Sequence, residues 1–201
     1  MAQLIQALPE GPVDIVGDIH GEADALHRLL KRLGCDWVNL RVERPLVFVG
    51  DLIDRGPDSP AVVEMVMRLV EAGLAQCVLG NHELNVLFDS KKEGNGWLRR
   101  DESDHYQYKE NGVLVEAFFD SRQATVEQAK RFKDFFATLP LAVERSDLRV
   151  VHACWHSPSI EALPVEGSVA ALAIDWARAI HEDHKVRGLW AGEKAEREEF
   201  A

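Results

Sequence analysis

Cysteine is scarce in this chain. Cys35, Cys77 and Cys154 are three, an odd number with no close pair, so the sequence does not read as a disulfide framework. Cys77 and Cys154 lie in apolar runs and read as small buried hydrophobes. A reducing, cytoplasmic setting is the simplest fit. Positive charge is also short, with 23 Lys and Arg against 34 Asp and Glu and a net charge of −11. That balance argues against affinity drawn from a nucleic-acid backbone, so no duplex partner is expected. It leaves phosphorylated small molecules and phosphoproteins open, because bound cations reverse a local field. No apolar run approaches the length of a membrane span, and residues 1–10 are too short and mixed for a secretory signal. There is no internal repeat and no low-complexity tract. The Gly-rich turns match neither a P-loop nor a dinucleotide fingerprint. What is present is ordinary for a globular domain: 46% hydrophobic and 28% charged residues over a length of 201. Length sets the expectation of one domain covering 1–201.

The chain is organised around residues 46–56, LVFVGDLIDRG. Leu46, Val47, Phe48 and Val49 form an apolar run that reads as a buried strand. It ends at Gly50-Asp51, which places Asp51 at a strand's C-terminal end, where open α/β sheets put their sites. Asp54, Arg55 and Gly56 follow. The same grammar occurs twice more. Residues 13–16 make a short strand ending at Gly17-Asp18-Ile19-His20-Gly21, and residues 75–79 make another ending at Gly80-Asn81-His82-Glu83. After the first, Ala25, Leu26, Leu29, Leu30 and Leu33 share a helical face up to Gly34. After Gly56, Asp58 or Ser59 caps a helix with Pro60 at its start and a stripe of Val62, Val63, Val66, Leu69 and Val70. Strand–turn–helix repeated with short links predicts parallel strands in a layered α/β fold.

Residues 89–122 break the pattern. They are polar, rich in Gly, Asn and charge, and lack a sustained period, so they read as an insertion or cap over the site. Lys91, Lys92, Arg99 and Arg100, with Trp97 and Tyr106, are candidates for a substrate rim. Thr125 with Gln128 predicts a capping box. Val126, Ala129, Phe132, Phe135, Phe136 and Leu139 line the helix behind it, which stops at Pro140. Residues 141–143 and 148–151 look like a hairpin of an antiparallel second sheet ending at His152. A last amphipathic helix is predicted over 168–181.

The strand ends together offer Asp18, His20, Asp51, Asn81, His82 and His152. Mixed carboxylate, imidazole and amide ligands suit manganese, iron or zinc better than calcium. Asp18 and His20, one residue apart, can face the same side of an extended segment. Asp51 can bridge two ions, and two ions roughly 3.5–4 Å apart clamp a phosphoryl group and activate water. Arg55 can hold phosphate oxygens bidentately. His82, oriented by Asp54, is a candidate acid for the leaving oxygen.

These residues carry a resemblance. GDIHG (17–21), GDLIDRG (50–56) and GNHE (80–83) resemble the three signature blocks of the calcineurin-like metallophosphoesterases. Their spacing is similar to the phosphoprotein phosphatase branch, which includes bacterial serine/threonine phosphatases and dinucleoside tetraphosphatases. VHA (151–153) is similar to the fourth block. The resemblance implies a two-sheet sandwich flanked by helices and two divalent ions, with manganese first and iron or zinc as alternatives. It implies Asp18, His20 and Asp51 on one ion, and Asp51, Asn81 and His152 on the other. Arg55 would bind phosphate, and His82 with Asp54 would supply the acid. The substrate would be a dinucleoside polyphosphate or a phosphoserine/threonine protein.

Two departures set the alternatives. The family's further Gly-His block, whose His completes the second ion's shell, has no match before Ala201. The expectation is therefore a domain incomplete at its C-terminus, unless His156, His181 or His184 stands in. Trp176-Ala177-Arg178 resembles a segment that carries a second phosphate-binding Arg, which makes Arg178 a candidate. The rival to an enzyme is a catalytically impaired, metal-binding regulatory module that lacks the last ligand.

Overall fold

The computed structural model describes residues 3–92, 94–99, 105–110, 113–163, 167 and 172. Arg100, Arg178, His181 and His184 lie outside the described residues, as does the helix expected over 168–181 apart from Leu172.

Three strands, β2 (Asp14–Val16), β3 (Leu46–Phe48) and β4 (Ala75–Cys77), pair in parallel in that order. Each runs into a helix: α1 (Ala23–Arg32), α2 (Ser59–Glu71) and α3 (Asn81–Leu87). The second sheet has the order β1-β7-β8. Its members are β1 (Ile5–Ala7), β7 (Ala142–Arg145) and β8 (Leu148–Val151), with β1 parallel to β7 and β7 antiparallel to β8. The expected parallel sheet, antiparallel hairpin and flanking helices are all present.

Alternation along β3 joins the layers. Leu46 and Phe48 pack in one cluster with Leu26 and Leu30 of α1, Val62 and Val66 of α2, and Phe132 and Phe136 of α5 (Val126–Phe136). Val47 turns the other way and packs with Val143 of β7 and Val150 of β8. A strand covered on both faces has no polar position to offer, which is why β3 is a continuous apolar run.

Local chemistry sets the helix starts. Asp58 caps α2 by accepting the Ala61 N–H at 2.8 Å. Thr125 and Gln128 form the expected capping box of α5, each side chain accepting the other's backbone N–H, at 3.1 and 3.0 Å. Val126, expected on the apolar stripe, is instead 75% exposed. It is the first residue of α5, outside the turn that meets the core. Cys77 is buried as expected, but Cys154 is exposed, because it follows β8 and has left the sandwich.

Three features were not foreseen. One is β1, which borrows its pairing from β7. The others fall in the polar stretch after α3: the short helix α4 (Gly96–Arg99), and a two-stranded hairpin of β5 (His105–Glu110) and β6 (Val113–Phe118). The hairpin pairs only with itself among the described residues. Val113 and Leu114 are both exposed, so burial leaves no alternation there to read. None of the described helices is long and apolar enough to cross a membrane.

Candidate metal centre

The site forms where the turns after β2, β3 and β4 meet. The turns at Gly50 and Gly80 touch backbone to backbone. A Cβ on Gly50 would strike the Gly80 nitrogen, and a Cβ on Gly80 would strike Asp51 Oδ1 and its backbone nitrogen. Only glycine permits this approach. Glu83, fully buried at the start of α3, ties the two turns together. Its Oε2 accepts the N–H groups of Asp51 at 2.8 Å and Gly80 at 3.0 Å, and its Oε1 accepts that of Leu52 at 2.9 Å. Burial pushes the Glu83 carboxyl up to about 7, and the neighbouring Asp51 charge adds to this against the three N–H bonds.

Asp51 is 4% exposed and lies between two sets of ligands. Its Oδ2 is 3.9 Å from His20 Nε2 and 3.8 Å from His82 Nε2. Its Oδ1 accepts the His82 N–H at 3.1 Å and lies 3.5 Å from His152 Nε2. His20, Asp51 and His82 each offer a ligand atom within 4.8 Å of the others.

The imidazoles are oriented from behind. His20 Nδ1 donates to the Ile53 carbonyl at 3.0 Å, and His152 Nδ1 donates to the Val49 carbonyl at 2.8 Å. Each leaves its Nε2 lone pair facing the site, as metal-ligating histidines do. His152 Nε2 then meets Asn81 Oδ1 at 3.1 Å. Turning the Asn81 amide over would supply a proton there, but Asp51 Oδ1 would still face the same lone pair without one. Asp51 Oδ1, Asn81 Oδ1 and His152 Nε2 thus converge as a mixed set of oxygen and nitrogen donors of the kind that holds a divalent cation. The donor set of oxygen and nitrogen atoms fits divalent manganese, iron or zinc.

His82 and Asp54 form the expected pair, with Nδ1 donating to Asp54 Oδ2 at 2.7 Å. Burial works to lower the His82 pKa, but the Asp54 hydrogen bond and the Asp54 and Asp51 charges outweigh it and hold the imidazole above its ordinary range. The Asp54 N–H donates to Ser59 Oγ at 2.9 Å. Arg55 is exposed, and its Nη1 donates to His20 Nε2 at 3.3 Å. Asp18 is exposed two residues beyond β2, and the tight group of ligand atoms does not include it. His156 is exposed just before α6 (Ser157–Glu161).

His20, Asp51, Asp54 and Arg55 have φ values of 46, 49, 71 and 68°. Non-glycine residues in the left-handed region cost about 1–3 kcal/mol each and gather where a site needs them.

The rim expectation is corrected at Trp97. It is fully buried, and its Nε1 donates to Asp54 Oδ1 at 2.6 Å. Arg99 is paired with Asp89 at 3.1 Å, while Lys91 and Lys92 are exposed. Sequence reasoning gave Glu83 no role, and it expected Trp97 on a rim and Ser59 at a helix start where both in fact hold Asp54. Only Glu83 left a signal, as a carboxylate three residues after a helix-starting glycine.

An α/β sandwich with aspartate, asparagine and histidine gathered at its strand ends defines a candidate metal-dependent centre. The profile of the calcineurin-like phosphoesterases matches residues 11–192, and the chain belongs to that family. It is 49% identical over 74 residues to the asymmetrical bis(5′-nucleosyl)-tetraphosphatase PrpE of Geobacillus sp. (strain WCH70), covering 35% of this chain and 30% of the relative. It is 41% identical over 76 residues to the symmetrical bis(5′-nucleosyl)-tetraphosphatase of Ralstonia nicotianae, covering 38% of this chain and 24% of the relative. The matched stretch thus spans less than a third of the length of these curated relatives. A solved metallophosphoesterase from Sphaerobacter thermophilus overlays 68% of this chain and 44% of its own, at 21% identity and a TM-score of 0.40.

Proposed function

We propose that this chain hydrolyses phosphate esters or anhydrides with two divalent metal ions. The observation that carries the reading is Asp51, whose two oxygens face different ligand sets, His20 with His82 on one side and His152 on the other. In this reading Asp18, His20 and Asp51 hold one ion, and Asp51, Asn81 and His152 hold the other. Manganese is the first choice, with iron or zinc as alternatives. Ions bound there would polarise phosphoryl oxygens and lower the pKa of water. Arg55 holds phosphate oxygens from the exposed side, with Arg178 as the second candidate. His82 Nε2 gives a proton to the leaving oxygen while Asp54 keeps the ring in place. Glu83 and the glycine turns keep Asp51 where both ligand sets reach it.

The names of the curated relatives favour a dinucleoside polyphosphate as the substrate over a phosphoserine/threonine protein. The whole chain is read as one domain in a cytoplasmic setting, with residues 89–122 as a cap. The test is hydrolysis by metal-loaded protein of an aryl phosphate, a dinucleoside tetraphosphate and a phosphopeptide, alone and in competition. Release of phosphate or nucleotide with strong preference for the dinucleotide supports the reading. Phosphopeptide preference overturns the substrate. Stoichiometric metal with no turnover on any of the three selects the regulatory module instead.

A further inference from the structure

We propose that Trp97, carried by the polar insertion, is a positioning residue for the Asp54–His82 pair; this rests on the reading of His82 as the leaving-group acid. Asp54 is fully buried, and its two oxygens are shared between two parts of the chain. Oδ2 takes His82 Nδ1 at 2.7 Å, and Oδ1 takes Trp97 Nε1 at 2.6 Å. The terminal torsion of an aspartate is broad and nearly two-fold, so one hydrogen bond alone leaves the carboxylate free to rock or exchange oxygens. A second donor from a different direction fixes it. Oδ2 is then held toward the His82 ring at 2.7 Å, and His82 Nε2 is held facing the site, 3.8 Å from Asp51 Oδ2.

The indole is itself held. Its ring is fully buried and packs 6.4 Å from Phe132 of α5. Its carbonyl accepts the Ala124 N–H at 2.8 Å, and just before it Gly94 accepts the Arg55 N–H at 3.2 Å. The insertion therefore grips the turn 54–56 at three points: through the Gly94 carbonyl, through the indole, and through Ser121 Oγ, which donates to the Gly56 carbonyl at 2.7 Å. The indole N–H is donor-only, so its partner must accept, and Asp54 is its partner here.

The experiment compares Trp97→Phe, Asp54→Asn and the double variant, each metal-loaded, on an alkyl and an aryl phosphate. Metal content and Tm are measured alongside. A general acid is worth roughly 10²–10⁴-fold, and most of that is needed only when the leaving group is poor. Trp97→Phe is expected to lower the alkyl rate roughly tenfold more than the aryl rate, with metal retained. In the Asp54→Asn background it should add nothing further, because both changes act through one group. Equal losses on both substrates, or full additivity with Asp54→Asn, would reduce Trp97 to a packing residue. If Trp97→Phe does not fold, benzothienylalanine at 97 replaces the N–H by sulfur in the same shape and permits the same comparison.

Proton–nitrogen NMR of the unmutated protein supplies a readout apart from turnover. The indole N–H missing from Trp97→Phe should lie downfield and move in Asp54→Asn, and the His82 Nδ1–H signal should move or broaden in Trp97→Phe. If His82→Ala slows both substrates alike, the acid reading fails, and the NMR alone decides. A His82 signal untouched by Trp97→Phe then overturns the positioning role, and a shifted one sustains it.

Discussion

Glu83 accepts the backbone N–H of Asp51 at 2.8 Å while also holding that of Gly80 at 3.0 Å. One buried carboxylate therefore sets the distance between the turn that carries Asp51 and the turn that carries Asn81 and His82. Glu83→Ala would leave three buried N–H groups without partners and open a cavity. Each orphaned donor costs about 1–3 kcal/mol, so unfolding in urea should show a loss on the order of 3 kcal/mol or more. Glu83→Gln keeps the shape but turns a donor toward an N–H, and should recover only part of this. Stability unchanged in both variants would contradict the clamp.

Asp51 faces both ligand sets, so Asp51→Asn should loosen both ions together and abolish turnover. Asp18 is exposed and outside the tight group of ligand atoms, so Asp18→Asn should weaken one ion only. Metal counted after gel filtration distinguishes the two. Equal partial loss in both variants would sink the bridging role of Asp51.

His82→Ala should keep its metal and lose rate, roughly 10²–10⁴-fold on alkyl phosphates and far less on substrates that leave well without a proton. Loss of bound metal in this variant would instead make His82 a ligand, consistent with its Nε2 lying in the tight group with His20 and Asp51.

Arg55→Ala should raise KM and lower kcat together, because a bound phosphate uses the guanidinium in both ground and transition states. Arg55→Lys should rescue poorly, since an ammonium has no planar fork. Kinetics at saturating metal decide this, and full rescue by lysine would leave charge as the only requirement.

The architecture was legible where the signal is local. Leu46 to Val49 announce a strand buried on both faces, and Thr125 with Gln128 announce a helix start. Asp18, His20, Asp51, Asn81 and His82 declare themselves because each follows an apolar run at a glycine. Other features depend on partners far along the chain. Nothing local in Ile5–Ala7 says that it will pair with β7. Trp97 sits among charged residues and looked like surface; its burial follows from Asp54 and Phe132, which lie far from it in sequence. Glu83 belongs to a legible block, but its task, bonding three backbone N–H groups, is visible only once two turns are seen to touch.

The pairing of β1 with β7 carries a consequence for how the molecule is made. Ile5 aligns with Ala142, so β1 must wait for a partner made more than a hundred residues later. The parallel sheet and its helices use nearer neighbours and can assemble earlier. In that interval Val47 and Val78 present an apolar face that Val143 and Val150 have yet to cover. Long-range pairing is slow, and exposed strand faces aggregate. Yield on expression should therefore depend on how fast residues 142–151 are delivered, independently of how stable the finished fold is.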